Sequence, residues 1–397
     1  MKYSKWVAVT VIISLMFVNI VAADTYTSKQ SLIETAIKNS SELLLQRNSL
    51  NSLKENLHSL NYYVEHRQNE ALSYQRYYYL IRMEKHTLEE MKEIEQLQSI
   101  IFVPLSENEK TRVVIDTKNN IYETEYAIFT AQNNENSIKN NIYMSINELY
   151  SELLKIDTAI SNQKLSIQKL NLNYRNAKLK LYQGKISQSD YKKISLTLNI
   201  SNVGLEKLNK QRKVVEHKLN RYLGSSQAIS IITDRTLEES YKKLDSLQYY
   251  LDYAIAHNIQ MLNATKYYSF TEQKYQSSKQ IEHLIGSRLT DDSMLSMENA
   301  GYELEEIKLD TYIQVNNLYN TILNDLNQIE RTNQLYEYYK YKNNEGQNKY
   351  KLGQISEYEL SQNNLNYYNS IGNYYNARID AELTYQKLLN ICGFLLY

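Results

Sequence analysis

The chain has 397 residues, 42% hydrophobic and 23% charged, enough to bury one large or two ordinary domains. Its 45 basic and 45 acidic residues cancel, which argues against a nucleic-acid surface or a polyanionic partner. One proline, Pro104, and nine glycines leave few helix breakers, so the expected class is all-α with very long helices.

At the N-terminus Lys2 and Lys5 precede the apolar run Val7–Val18, and the small residues closing "NIVAA" suit cleavage after Ala23. Residues 1–23 therefore read as a signal peptide. A retained anchor is the alternative, disfavoured because Trp6–Ala23 spans only 18 residues and includes Asn19. Either way the body is exported and extracytoplasmic.

A short helix start, "SLIETAIKNSSEL" (31–43), opens a first unit assigned to residues 24–235. Ile160, Gln163, Ile167, Leu170, Tyr174, Ala177 and Leu181 then follow a 3-4 spacing, the seam of a coiled coil. The stretch "YQGKISQSDY" (182–191) breaks it, and Ile194, Leu198, Ser201, Leu205, Leu208, Val215, Leu219 and Tyr222 resume it on a return helix. Two seams flanking one glycine predict an antiparallel hairpin.

A second unit, residues 236–397, opens on "YLDYAIAHNIQM" (250–261), in which Ala254 and Ile255 line up with Ala36 and Ile37. Ile329, Thr332, Tyr336, Tyr339, Asn343, Gly346 and Tyr350 form its seam, and "YKLGQISEYEL" (350–360) its hinge. A constant offset of 169 carries Gly184 to Gly353, Ile186 to Ile355, Ser187 to Ser356, Asp190 to Glu359, Leu219 to Leu388 and Gly224 to Gly393. Repetition at so large a period indicates a duplicated structural unit. The first unit is longer by roughly fifty residues, easiest to place at 60–107. The lone cysteine, Cys392, is expected to pack as a small hydrophobe.

The secretory start, the tandem repeats, the matching openings, and the "Y..G.is..d" element followed forty residues later by "LG" or "CG" together resemble the TolC-type outer-membrane efflux channels. The resemblance covers essentially the whole mature chain. It implies a homotrimer in which six hairpins close into an α-helical barrel, with a membrane-fusion adaptor and an inner-membrane pump of ABC or RND type as partners. It further implies that Gly184, Ile186, Ser187, Gly353, Ile355 and Ser356 form the hairpin tips where the adaptor docks, and that Asp190, Tyr350 and Glu359 belong to a gate. Some members carry a basic residue two positions after the second glycine. Ile355 stands there, so a gate built on that salt link is not expected here.

The same tip residues have a purely structural reading. Glycine sits where the chain leaves helical φ/ψ, Ser187 or Ser356 caps the next helix, and an acid in the first turn complements the helix dipole. Under threefold symmetry, rings of Asp190 would also draw cations.

The family's barrel strands are not legible. The stretch 76–98 has a helical composition, only "SIIFVPL" (99–105) looks strand-like, and 282–304 leaves about twenty residues for two strands and a loop. Either the barrel is reduced, which is the favoured reading, or its strands are cryptic. The 38 tyrosines read as interface fillers, each with an apolar ring and a hydroxyl that reaches water.

Nothing points to catalysis or a cofactor. The six histidines show no HExxH spacing, and there is no phosphate loop, GxGxxG, nucleophile elbow or CxxC pair. Adjacent acids such as Glu89 and Glu90, or Asp291 and Asp292, point apart on a helix and suit a solvated face. The expected function is therefore a passive exit duct for efflux or type I secretion, in the outer membrane if the resemblance holds in full. The alternative is a non-conducting extracytoplasmic coiled-coil scaffold, which needs one apolar stripe where a tunnel also needs a wet lumen face.

Overall fold

The computed structural model describes residues 28–83, 85–100, 107–224, 231–233, 237 and 239–397; residues 1–23, read as a signal peptide, lie outside them. Among the described residues there is no β-strand, and the chain is built of helices. None of these is long and apolar enough to cross a membrane.

α1 (Lys29–Asn39) and α2 (Ser41–Ile81) are separated by Ser40 alone, whose Oγ accepts the Leu43 N–H at 3.2 Å. The second repeat copies the joint. α6 (Leu247–His257) meets α7 (Ile259–Gln280) at Asn258, whose side chain accepts the Gln260 and Met261 N–H groups at 2.8 and 3.0 Å. Ala36 and Ala254, paired by the sequence alignment, are both buried.

After α2 a short break leads to α3 (Leu88–Ile100), which folds back on α2, and then to α4 (Glu107–Tyr182). With 76 residues α4 is about 114 Å long at 1.5 Å per residue. α5 (Gln188–Tyr222) returns along it. A connector with one 3-10 turn (Ser240–Lys243) leads to α6 and α7; a single turn, α8 (Glu282–Ile285), and a kink at Gly286 precede α9 (Ser287–Lys351), and α10 (Glu357–Cys392) closes the chain.

The helices lie side by side in the order α5, α4, α10, α9, with α2 on α4 and α7 against both α4 and α9. Both seams are real: Ile160, Ala177, Ser201, Val215 and Leu219 are buried in the first hairpin, and Thr332, Asn343 and Gly346 in the second. Two members of the expected seams depart from it. Tyr222 is exposed while Leu223 takes the buried place, and Tyr350 is exposed because its helix is already ending. Between Leu208 and Val215 the seam position is held by Arg212, discussed below.

Where the family implies strands, the described residues are helices joined by short breaks at 82–83 and 85–87 and at Gly286. Ser99 and Ile100 end α3, residues 101–105 of the strand-like stretch lie outside the described residues, and 287–304 begin α9. The extra length of the first repeat sits in the end of α2, in α3, and in the first eleven or so residues of α4, so it runs a little past the expected 107.

Candidate functional site: hinge tips and helical wall

The two hinges have the same backbone. Gly184 and Gly353 stand at φ +67° and +72°, a conformation glycine adopts without strain, and nothing lies within 4 Å of where a Cβ would be. Gly184 N–H donates to the Leu181 carbonyl at 2.9 Å and Lys185 N–H to the Lys180 carbonyl at 2.8 Å. Gly353 and Gln354 make the equivalent bonds to Tyr350 and Lys349 at 2.9 and 2.8 Å. These bonds close the last helical turn on itself in the Schellman manner.

Each following helix starts with a capping box. Ser187 Oγ accepts the Asp190 N–H at 3.0 Å, and Asp190 Oδ2 accepts from the Ser187 hydroxyl at 2.6 Å and its N–H at 3.3 Å. Ser356 and Glu359 do the same at 3.2, 3.0 and 2.8 Å. These hydrogen bonds hold both carboxyl groups below their ordinary range: the Ser187 hydroxyl leads for Asp190, and the Ser356 N–H for Glu359. Both acids are fully exposed, so the structure gives each a capping partner within its own turn. Ile186 and Ile355 are half-buried under the turns, and Tyr182 (92% exposed) and Leu352 (71%) project from the ends.

Above the tips the hairpins differ. The Tyr174 and Tyr191 rings meet tilted, with centroids 5.3 Å apart, and Tyr191 donates its hydroxyl to that of Tyr174 at 2.5 Å, which raises the Tyr191 pKa. The matching positions in the second hairpin are Asn343 and Leu360, and Asn343 Oδ1 is buried with no partner. There the packing is instead Tyr336 stacked on Tyr367 and Tyr374 at 6.0 and 5.9 Å. Such pairs are the interface use of tyrosine expected from composition. In the first seam Gln163 Nε2 donates to the Ser201 carbonyl and hydroxyl at 2.7 and 2.8 Å.

At the far end of each hairpin lies the second repeated glycine, whose role the sequence spacing does not explain. Gly224 (φ +66°) and Gly393 (φ +89°) end the return helices and press against the α1–α2 and α6–α7 joints. Asn39 Nδ2 donates to the Leu223 carbonyl, and Asn258 Nδ2 to the Ile391 carbonyl, both at 2.7 Å. The signal was present in "LG" and "CG"; the partner asparagines, more than a hundred residues away, were not. Cys392 is fully buried beside this joint, and burial alone pushes its thiol up to about 12.

No family model and no curated protein matches the chain. Among solved structures, it is similar to the outer membrane protein VceC of Vibrio cholerae, at 12% identity over 92% of this chain and 96% of that one, with a TM-score of 0.63. CusC, a transmembrane channel, matches at 8% identity and TM-score 0.62 over 93% of both chains. The outer-membrane channel OprN matches at 9% identity and TM-score 0.57, covering 92% of this chain and 89% of its own. The chain has the fold of the TolC-type outer-membrane channels. At such identities the likeness speaks for architecture alone.

Proposed function

We propose that the chain is a TolC-like exit duct: a homotrimer whose hairpins form a passive helical tunnel in the cell envelope, working with a membrane-fusion adaptor and an inner-membrane pump. The observation that carries this reading is a pair of bare apolar edges at matching heights on a channel-type fold. On α5, Leu196, Ile200 and Val203 are exposed; on α9, at the other edge of the four-helix layer, so are Leu335, Tyr338 and Tyr341. Each set lies about 9–16 residues from its hinge, so a second copy placed beside the first sets one stripe against the other. The two edges differ from one another, so the contact is head-to-tail, the kind that closes into a ring when the rotation from copy to copy closes.

Substrates, whether small molecules or polypeptides, would cross without chemistry in the duct, and the energy would come from the pump. The tips around Gly184, Ile186, Ser187, Gly353, Ile355 and Ser356 are the adaptor-docking surface in this reading. Asp190, Tyr350 and Glu359 lie beside the passage. The repeats, 24–235 and 236–397, each contribute one hairpin.

The test is the mass of residues 24–397 in solution by light scattering, with and without detergent. A three-chain mass is expected, and Ile200→Cys with Tyr338→Cys should cross-link that species between chains. A monomer or dimer in both conditions would overturn the duct and favour the scaffold. In the exporting cell, Gly184→Trp and Gly353→Trp should abolish export at unchanged envelope levels; normal export by both would remove the tips from the mechanism.

A further inference from the structure

The zero net charge of the chain conceals a separation. Residues 158–222 of the first hairpin carry fourteen basic and three acidic side chains, whereas residues 327–391, which the 169-residue offset sets against them, carry seven of each. Balancing acids lie elsewhere, as in residues 287–326 of α9, with eight acidic side chains and two basic. The total thus speaks against a polyanionic partner only on average, and the first hairpin is strongly cationic.

The second hairpin neutralises its lysines locally: Lys340 pairs with Glu337, and Lys342 and Lys349 with Glu345. In the first, all three acids are already engaged. Glu206 pairs with Lys210 at 2.8 Å, Asp190 closes its capping box, and Glu216 joins Asp157 and the Ile231 carbonyl around Arg212. Lys164, Arg175, Lys178, Lys185, Lys192 and Lys207 are exposed and form no ion pair with a described residue. Three of them make a track. Arg175 and Lys178 lie eleven and fourteen residues after Lys164, which returns each to within about 40° of the same face of α4. Gln168 and Asn171, between them on that face, are polar and exposed. Lys185 continues the row at the hinge, so the track is about 30 Å long.

We propose that this face of α4 binds a linear phosphate polymer laid along the helix from Lys164 to the hinge. A row of unneutralised cations at intervals along a rod complements a chain of anions, and releasing that chain's counterions drives the binding. The row is mostly lysine, a point charge that suits tetrahedral phosphate, where carboxylate recognition favours the planar fork of arginine. A protein partner would need a desolvated apolar centre, and a bilayer an apolar face beneath the cations; Gln168 and Asn171 offer neither. A second copy is excluded by position. α4 is an inner helix of the four-helix layer, so the contacts assigned to α5 and α9 leave this face open. The inference concerns the outer surface of one hairpin and stands whether or not the chain conducts.

The experiment titrates the full mature chain with inorganic polyphosphate longer than the track, by calorimetry at several salt concentrations. Binding is expected, with log K falling against log salt at a slope of about −3 for four cations at about 0.7 each. The triple variant Lys164→Gln, Arg175→Gln, Lys178→Gln should bind about tenfold or more weakly at about 0.1 M salt, with a slope near about −1. Glutamine keeps helix propensity at these exposed positions, and circular dichroism checks that the helices remain. A second triple variant, Lys340→Gln, Lys342→Gln, Lys349→Gln, removes the same charge from the other hairpin and should change the affinity by less than about twofold. No binding at about 50 mM salt would overturn the proposal. Equal losses in the two triple variants would do the same, by making the attraction one of overall charge. Polyglutamate binding as tightly as polyphosphate would make the partner an acidic protein, and anionic phospholipid vesicles displacing polyphosphate would make it a bilayer; either result also overturns the phosphate track.

Discussion

The half of the two hairpins beside the connector, the body, and the half that ends in the hinges, the shafts, are made of the same four helices but held in different ways. The largest fully buried side chains, among them Leu32, Ile33, Leu43, Ile146, Leu153, Leu219, Ile322, Ile379 and Leu388, all lie in the body. Besides Ile160 at their upper end, the shafts bury small or polar seam residues: Ala177, Ser201, Thr332, Asn343, Gly346, Ser370 and Gly372. A helix in the body is fixed by several neighbours, whereas a shaft helix is fixed by its hairpin partner and, for the middle pair, one further contact. Stability and function are therefore expected to separate along the length of the molecule. Body residues set the unfolding free energy, and shaft residues set local opening.

The largest contrast uses one residue type in two places. At Gly393 a Cβ would run into the His257 carbonyl and come within 3.0 Å of the Asn258 nitrogen, with φ at +89°. Gly393→Val should cost about 3 kcal/mol or more, from strain added to a backbone clash. Gly353→Val meets open space and bears only the positive-φ penalty, about 1–2 kcal/mol and confined to the tip. Equal effects on the urea midpoint would erase the distinction between body and shaft.

Core truncation gives the next step. Leu153, fully buried among the α1, α4 and α5 contacts of the body, should lose about 2–5 kcal/mol as Leu153→Ala. Leu170→Ala, at a half-buried seam position, should lose about 1 kcal/mol, because part of its surface stays in water in either state. Thermal unfolding of the two variants side by side reads the difference.

A substitution of opposite sign tests the second shaft. Asn343 is 4% exposed and its Oδ1 has no partner, so the polar group is desolvated without compensation. Asn343→Leu should slow amide exchange around residues 339–347 about fivefold, the equivalent of about 1 kcal/mol. No change, or faster exchange, would mean that this asparagine is satisfied by water and sets the register of the seam.

Much of this architecture was legible in the chain itself. The 3-4 spacing of Ile160–Leu181 and Ile329–Tyr350 marked the hairpins, and the 169-residue offset marked their duplication, because both depend on local periodicity. The capping boxes at Ser187 and Ser356 follow from residue types three apart. Arg212, by contrast, left only a gap in the apolar pattern. Its partners Asp157, Glu216 and Ile231 come together through pairing between helices and a returning connector, which no local spacing records. The docking of Gly224 and Gly393 against the joints at Asn39 and Asn258 was hidden for the same reason. The absence of strands among the described residues could be read only as an absence of alternation.

The smallest effect separates the two regions by the sign of their response to acid. Asp190 and Glu359 have carboxyl groups held below their ordinary values of 3.8 and 4.5 by the capping hydrogen bonds, so their contribution is present above those values. It is lost as pH falls through the depressed pKa, when protonation removes the charge that accepts from Ser187 and Ser356. Asp325, on α9 beside Thr384 of α10, is raised above 3.8, chiefly by burial, with the nearby Asp380 adding and the Thr384 hydrogen bond and Lys155 opposing. Its protonated form is favoured in the folded chain. That contribution is complete below 3.8 and disappears as pH rises through the raised value. Acidification from pH 6 toward pH 3 should therefore speed hydrogen exchange, corrected for its intrinsic pH dependence, at the Asp190 and Glu359 amides while leaving amides around Asp325 equally or better protected. Ser187→Ala should weaken the acid response at the first tip alone, since the Ser187 hydroxyl is the largest cause of the low Asp190 pKa while its N–H and Lys193 remain. If the tip amides and those around Asp325 lose protection together, the helices open as one unit, and the division between body and shafts fails.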